Sequence, residues 1–283
     1  GASGMMAAIT AARNNNKVTL IEKNEKLGKK LFITGKGRCN FTNAGDEEDI
    51  FNSIVTNKKF MYSSLRGFSN YDCMGFFDEL GLKFKIERGN RVFPESDHSS
   101  DVIGALSRQM KKLGVNVLLN TQVVAVNEEN GEFAGVVVKD ASGQKEIKGD
   151  ACVIATGGNS YSSTGSTGDG YRFAKSIGHS VTPILPALVP LNVREEWEEL
   201  LMGLSLKNIE VTFYDGDKKV FTDFGEMLFT HFGVSGPVIL SASSVITGIV
   251  KERPVRLRID LLLEITDEQL DERILRAFSK EQN

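Results

Sequence analysis

Cysteine is scarce in this sequence, and so are histidine and proline. Three cysteines in 283 residues are too few, and odd in number, for a disulfide scaffold. Free thiols of this kind suit a reducing cytoplasm. No run of eighteen apolar residues occurs, so no membrane-spanning helix is expected. Excess positive charge is also missing: 34 Lys and Arg stand against 37 Asp and Glu, a formal net charge of −3. Neutralising a phosphate backbone requires clustered basic residues, so this balance counts against a nucleic-acid partner. His98, His179 and His231 lie far apart without ligand spacing, and no cysteine pair joins them. A metal site is therefore not expected. What remains is ordinary for a folded protein, with 41% hydrophobic residues, and the length fits about two domains. The 28 glycines, many in short clusters, are the informative excess.

The chain starts GASGMMAAITAA, with neither an initiator methionine nor the basic stretch of a signal peptide. Met5, Ala8, Ile9 and Ala12 recur at helical spacing, and the β-branched run Lys17 to Ile21 then reads as a strand ending at Glu22. Gly1-x-x-Gly4 matches the second half of G-x-G-x-x-G, the turn that holds a dinucleotide pyrophosphate. Gly1 would let the backbone approach the phosphates, and Gly4 would let helix and strand pack closely. The helix start offers free N–H groups and a positive dipole end. Glu22 stands about 20 residues on, where an acid accepts hydrogen bonds from ribose hydroxyls. On this reading a first strand and first glycine precede the residues given; a natural start with a short helix is the alternative.

Residues 28 to 43 (GKKLFITGKGRCNFTN) place Lys29, Lys30, Lys36 and Arg38 among three glycines, a loop suited to a polyanion. It is not a P-loop, because Lys36 is followed by Gly37 and the Gly28–Gly35 spacing is too long. Phe51 to Leu113 reads as mainly helical, with turns at Gly67 to Asn70 and Gly89-Asn90. In it Val102, Ile103, Leu106, Met110 and Leu113 form an apolar stripe that Ser99, Ser100 and Asp101 can cap. Phe60, Tyr62, Phe76 and Phe77 are expected in the core. Val115 to Asp150 reads as strands with hairpin turns at Asn130-Gly131 and Ser142-Gly143. DACVIATGG (150–158) reads as a buried strand entering a glycine turn, followed by a Gly/Ser/Thr-rich loop and a helix around Tyr171 to Ile177. Pro183, Pro186 and Pro190 mark a boundary. Beyond it come a hairpin on Asp215-Gly216, a strand from Arg256 to Leu262, and a helix opened by the capping box Thr266-x-x-Gln269.

Several constellations carry less than they promise. Tyr171 and Lys175 form Y-x-x-x-K, the pair of short-chain dehydrogenases, but follow a Gly/Ser loop and are read as coincidence. Gly233-Val234-Ser235-Gly236 is no nucleophile elbow, since Pro237 stands where glycine is needed. Cys39 has two readings: a thiol whose pKa Arg38 and Lys36 lower, or a small residue required for close backbone approach. Cys73 and Cys152 read as structural. His231, in FTHFGVSGP, is a candidate proton donor at a site between domains, with a hydrogen-bonded structural role as the alternative.

Four ordered stretches, GASGMMAAITAA, GKGRCNFTN, ATGGNSYSSTGSTGDGYRFAKSIGHSVTPILPALVPL and GEMLFTHFGVSGP, together resemble one family. It comprises the NAD(P)/FAD-dependent oxidoreductases, also described as aminoacetone oxidase family FAD-binding enzymes. The resemblance implies an α/β fold: a Rossmann-like FAD-binding domain (1–186), an inserted β-rich, barrel-like unit (187–264) and the start of a small helical unit (265–283). It implies that Gly1, Ala2, Ser3 and Gly4 hold the pyrophosphate and that Glu22 with Lys23 meets the adenosine ribose. Thr34, Gly35, Lys36, Gly37, Arg38, Cys39 and Asn40 would line the flavin and its phosphates, with Lys29 in the same basic loop. Val123 would meet adenine through its backbone, and Ala155, Thr156, Gly157 and Gly158 would pass close to FAD. The family's first strand and C-terminal glycine-rich FAD segment have no counterpart here. The implied activity is hydride transfer between flavin N5 and a small organic substrate, with amine oxidation and alkene reduction both open. NAD(P)H would act as a transient donor or oxygen as acceptor, and Lys36 or the loop amides would stabilise charge on the reduced flavin. No catalytic residue is fixed; Lys36, Cys39 and His231 are the candidates. Alternatives from other classes are an FAD-containing factor for RNA modification or protein binding, and a dinucleotide sensor without turnover.

Overall fold

The computed structural model describes residues 1–195, 200–263 and 265–281. The chain divides into two units, Gly1–Thr182 and Pro183–Asn283. The division falls four residues before the boundary expected at 186, and residues 265–283 group with the second unit.

In the first unit, helix α1 (Ala2–Arg13) leads into strand β1 (Thr19–Ile21), followed by the short α2 (Lys29–Ile33). Strand β2 (Thr42–Asn43) and helices α3 (Glu47–Asn52), α4 (Lys58–Gly67) and α5 (Asn70–Glu79) come next. A hairpin of β3 (Phe84–Glu87) and β4 (Arg91–Pro94) precedes α6 (Ser99–Lys112) and β5 (Asn116–Leu118). Strands β1 and β5 pair in parallel, Thr19 with Asn116 through Ile21 with Leu118. The connection between them includes α6, whose apolar stripe packs on α1. Met5, Ile9, Leu20, Phe76, Phe77, Val102, Leu106 and Met110 share one buried cluster. Side chains of this size stabilise by about 1.5–3 kcal/mol each when fully buried.

The expected α6 stripe is present, but its start is built differently. His98 occupies the N-cap without a side-chain bond. Ser99 is buried instead, and its hydroxyl donates to the Phe32 carbonyl at 2.8 Å. Phe76 and Phe77 are core residues as expected. Phe60 and Tyr62 are not: they are 82% and 49% exposed on α4, because half-buried Met61 and Leu65 are the residues that α4 turns inward. The β3–β4 hairpin lies inside the stretch read as helical. Its turn uses left-handed Gly89 and Asn90 (φ 75° and 57°), and with β2 it makes the sheet β2-β4-β3.

Strands β6 (Gln122–Glu129), β7 (Glu132–Asp140) and β8 (Gly143–Lys148) form the expected antiparallel meander. Asn130 and Gly131 are both left-handed (φ 55° and 84°), as a tight hairpin turn between twisted strands requires. Residues 150–158, expected as a buried strand, pair with no other strand among the described residues. Val153 is 72% exposed there. An extended segment without a ladder partner keeps its backbone groups in water, and the apolar composition alone does not make it a strand. Helix α7 (Asp169–Ser176) closes the unit.

The second unit contains β9 (Leu191–Asn192), the long hairpin β10 (Ser205–Asp215) and β11 (Lys218–Thr230), and β12 (Gly233–Ser235). Helix α8 (Pro237–Val250), β13 (Arg256–Asp260) and α9 (Asp267–Glu281) complete it. The antiparallel sheet runs β13-β10-β11-β12-β9. Ile209, Val211, Phe213, Met227 and Phe229 face Val238, Ile239, Ala242 and Ile246 of α8 in a second core. The capping box at α9 is formed as expected: the Gln269 amide N–H donates to the Thr266 hydroxyl at 3.3 Å, and the Thr266 N–H to the Gln269 side-chain oxygen at 3.0 Å.

Candidate functional site

The start of α1 is open to an anion. Its N-cap is Gly1, no side chain caps it, and no acidic residue lies in its first turn. The first amides therefore keep their donors and the positive dipole end uncompensated. Glu22, at the end of β1, is brought to the same place, with Oε2 3.5 Å from the Gly1 nitrogen. Its other oxygen accepts from the Asn24 backbone N–H at 3.0 Å and the Asn24 side-chain amide at 2.8 Å. Gly4 is close to the 155–158 segment: a Cβ at Gly4 would sit 3.4 Å from the Ala155 methyl. Gly1, Glu22 and Ala155 thus lie around one helix end.

The glycine loop after α2 is wound in an uncommon way. Gly35, Lys36, Gly37 and Cys39 all have positive φ, at 56°, 57°, 87° and 60°. For Lys36 and Cys39 that conformation costs about 1–2 kcal/mol each. The loop is held from inside by the Cys39 N–H to Thr34 carbonyl bond (3.0 Å) and the Thr34 hydroxyl to Leu31 carbonyl bond (2.7 Å). Cys39 is fully buried, in the same apolar core as Met5, Ala8 and Ile9 of α1. Burial pushes its thiol pKa up, against a smaller opposing effect of the Thr34 hydroxyl. The expectation that Arg38 and Lys36 would lower it is therefore corrected. The Arg38 guanidinium instead faces Asp97 (2.6 and 2.8 Å) and Glu87, over the Phe93 ring at 4.1 Å. Lys36 is exposed and makes no hydrogen bond or ion pair among the described residues, whereas Lys29 pairs with Glu25 at 3.3 Å. Asn40 is exposed.

Opposite residues 155–158 runs the loop 159–169, pinned by three side chains from the β1–α2 segment. Lys23 donates to the Thr167 hydroxyl (2.7 Å) and Asp169 (2.8 Å). Asn24 donates to the Thr164 carbonyl (3.1 Å), and Lys30 to the Ser160 carbonyl (2.7 Å). Lys23 is thus engaged with this loop. Asn24 and Lys30 carry no sequence signal for this duty, since their partners lie 140 and 130 residues away. Gly157 is left-handed (φ 78°) and touches buried Ser166, and the Gly168 N–H donates to the Gly158 carbonyl at 3.2 Å. Val123 is half-buried in β6 next to Val124, whose carbonyl accepts from Arg172 of α7 at 3.1 Å. Thr156 is exposed. His231 lies in the second unit, exposed in the turn between β11 and β12, its ring edge-on to Phe232. The described residues contain no cluster of three His, Cys, Asp or Glu fit for a metal. No described helix is long and apolar enough to cross a membrane.

The Lys23 ammonium holds the Asp169 carboxyl below the usual carboxylate range. A depressed folded value means the pair stabilises fully above the ordinary carboxylate pKa of about 4, and the effect is lost as pH falls through the lowered value. The Tm difference between the protein and Lys23→Met is expected to be constant at neutral pH and to shrink to nothing in strong acid. A difference independent of pH would show that Lys23 acts by packing alone.

The HI0933-like protein Rossmann domain matches residues 1–252. The chain is 32% identical over 273 residues to the 3-dehydro-bile acid delta(4,6)-reductase of Clostridium scindens, covering 95% of this chain and 64% of that protein. It is 31% identical over 245 residues to the ribosomal RNA dihydrouridine synthase of Haemophilus influenzae, covering 86% and 59%. It therefore spans about three fifths of the length of these relatives. Among solved structures, a variant of E. coli quinol fumarate reductase superposes with a TM-score of 0.52 at 18% identity, over 74% of this chain and 42% of that one, a likeness of fold alone. The mixed α/β fold and the family read from the four sequence stretches both agree with these matches. With the match running from the open helix end at Gly1 into the second unit, as far as residue 252, this chain belongs to the HI0933-like family of Rossmann-domain proteins.

Proposed function

We propose that this chain holds FAD and reduces a carbon–carbon double bond conjugated to a carbonyl. The observation that carries it is the convergence on one helix end of an uncapped N-terminus, the Glu22 carboxylate and a closely approaching Ala155. That donor set fits a dinucleotide. The amides of Gly1 to Gly4 would take the pyrophosphate and Glu22 the ribose hydroxyls. The Thr34–Asn40 loop would line the flavin and its phosphates, with Val123 at the adenine. Bound there, FAD supplies hydride transfer at N5. The chain's own part is to bind, orient and tune charge. Exposed Lys36 and the loop amides offer positive charge toward a reduced cofactor. The Gly157 turn lets the backbone come close.

The choice of reduction rests on the two curated relatives. One is named a bile acid delta(4,6)-reductase and the other a dihydrouridine synthase. Dihydrouridine is uridine with its C5–C6 double bond reduced, and that bond is conjugated to the C4 carbonyl. Both names describe the same bond chemistry on different carriers. The net charge of −3 favours the small-molecule carrier over RNA, with NAD(P)H as transient donor.

The full-length protein is expected to purify with a flavin absorption spectrum and to release FAD on denaturation. Anaerobic NADH or NADPH should bleach it, and an enone should restore the colour. A colourless protein that also fails to take up added FAD overturns the reading. A flavoprotein reoxidised by an amine's imine product, and not by an enone, would move it to amine chemistry.

A further inference from the structure

Four of the five residues Gly35 to Cys39 are left-handed, and the remaining one, Arg38, is the only one whose side chain leaves the loop for a distant partner set. Its guanidinium lies 4.1 Å from the centre of the Phe93 ring and makes a two-pronged contact with Glu87, one prong at 3.2 Å. It also grips Asp97 through Nε and Nη2, at 2.8 and 2.6 Å. Lys85 completes the group, 2.5 Å from the second Asp97 oxygen. Every partner comes from the β3–β4 hairpin or the turn after it. A planar fork fits two carboxylates and a ring face together in a way that an ammonium does not.

We propose that Arg38 is a positioning residue: it latches the left-handed loop to the β3–β4 hairpin, and so sets from outside the site how firmly the chain holds its cofactor. This rests on reading the Thr34–Asn40 loop as the flavin-facing one. A strained run persists only where its surroundings over-determine it. Inside the loop the Cys39 backbone bond to Thr34, the Thr34 hydroxyl bond to Leu31 and the buried Cys39 do this; outside it, Arg38 does. Asp97 and Glu87 lie off the loop, so disabling them loosens it without altering any residue in it.

The test uses the full-length protein and the variants Asp97→Asn, Arg38→Lys and both together. In the FAD-free protein, tryptic cleavage after exposed Lys36 is expected to run at least tenfold faster in Asp97→Asn. With FAD, the affinity from fluorescence titration should fall at least fivefold in either single variant, with a shifted flavin absorption band. The double variant should be no worse than the weaker-binding single one, because one latch is broken twice. Unchanged cleavage and affinity in Asp97→Asn would overturn the proposal, as would single effects that multiply. If the unaltered protein took up no FAD, the flavin reading would fail and the claim on the cofactor with it. Wild-type FAD binding matched by every variant would sink the latch alone.

Discussion

Gly157→Ala is expected to weaken FAD binding by about thirty- to a hundredfold, equivalent to about 2–3 kcal/mol. Two separate costs add up to this. The residue sits at φ 78°, where any side chain is disfavoured by about 1–2 kcal/mol. The new methyl would also lie 2.8 Å from the Ser166 hydroxyl oxygen, well inside contact distance. Ser166 is buried in the wall that Lys23 and Asn24 pin, so it has little room to retreat. The 155–158 backbone must move instead, and it is the segment that would pass the cofactor. The two costs separate experimentally. In Gly157→Ala/Ser166→Ala the nearest neighbour left once the hydroxyl is gone is the residue 166 Cβ at 3.7 Å, so only the φ cost remains. Titration of both proteins with FAD should show about fivefold of the lost affinity recovered in the double variant, equivalent to about 1 kcal/mol, with the φ cost left in place. No recovery would locate the effect in backbone conformation alone.

The largest loss of stability is expected from Phe213→Ala, about 3–5 kcal/mol for unit 183–283. Phe213 is 2% exposed in β10, tilted against Phe221 with ring centroids 6.3 Å apart. It faces a core of short aliphatic side chains, including Val211, Ile239 and Ala242, which have little reach to fill the space a ring leaves. The cavity therefore persists and adds to the lost transfer energy. Phe224→Ala in neighbouring β11 is the control: Phe224 is 56% exposed, and its truncation should cost no more than about 0.5 kcal/mol. Urea unfolding of both variants checks the pair, and equal midpoints would mean that the β10 side of this sheet is not a packed core.

The elements most legible in the sequence were those whose determinants are local. The α6 stripe, the Asn130-Gly131 turn and the Thr266–Gln269 capping box each need only a few adjacent residues, and each is formed. The helix-to-acid spacing from Gly1 to Glu22 belongs to the same class. Misreadings occurred where a distant partner decides. Residues 150–158 have a strand's composition but no ladder partner among the described residues. Phe60 looks like a core residue until its helix shows which side is turned inward. Cys39 follows two basic residues, Lys36 and Arg38, in the sequence, yet it is buried in the apolar core and its basic neighbour Arg38 is drawn away by Glu87 and Asp97. A short hairpin hidden among helices, with charged residues at Lys85, Glu87 and Arg91, supplied the Glu87 carboxylate, and the turn after it supplied Asp97. Its Gly89-Asn90 turn was visible, but the purpose of its charges was not.

The contacts that close the 159–169 wall span unusually long stretches of chain: 146 residues from Lys23 to Asp169 and 130 from Lys30 to Ser160. Joining such remote ends carries a loop-closure entropy that rises by about 0.6 kcal/mol with each doubling of length. A few polar bonds at the surface repay little of it until other contacts have already brought the ends near. The α1–α5–α6 core joins residues closer in sequence and buries far more apolar surface. During folding, the wall therefore assembles after that core, contributing to the unfolding rate and hardly to the folding rate. In the finished molecule it is also among the first regions to open, so a bound dinucleotide would protect from transient exposure the part of the chain that acquires its shape last.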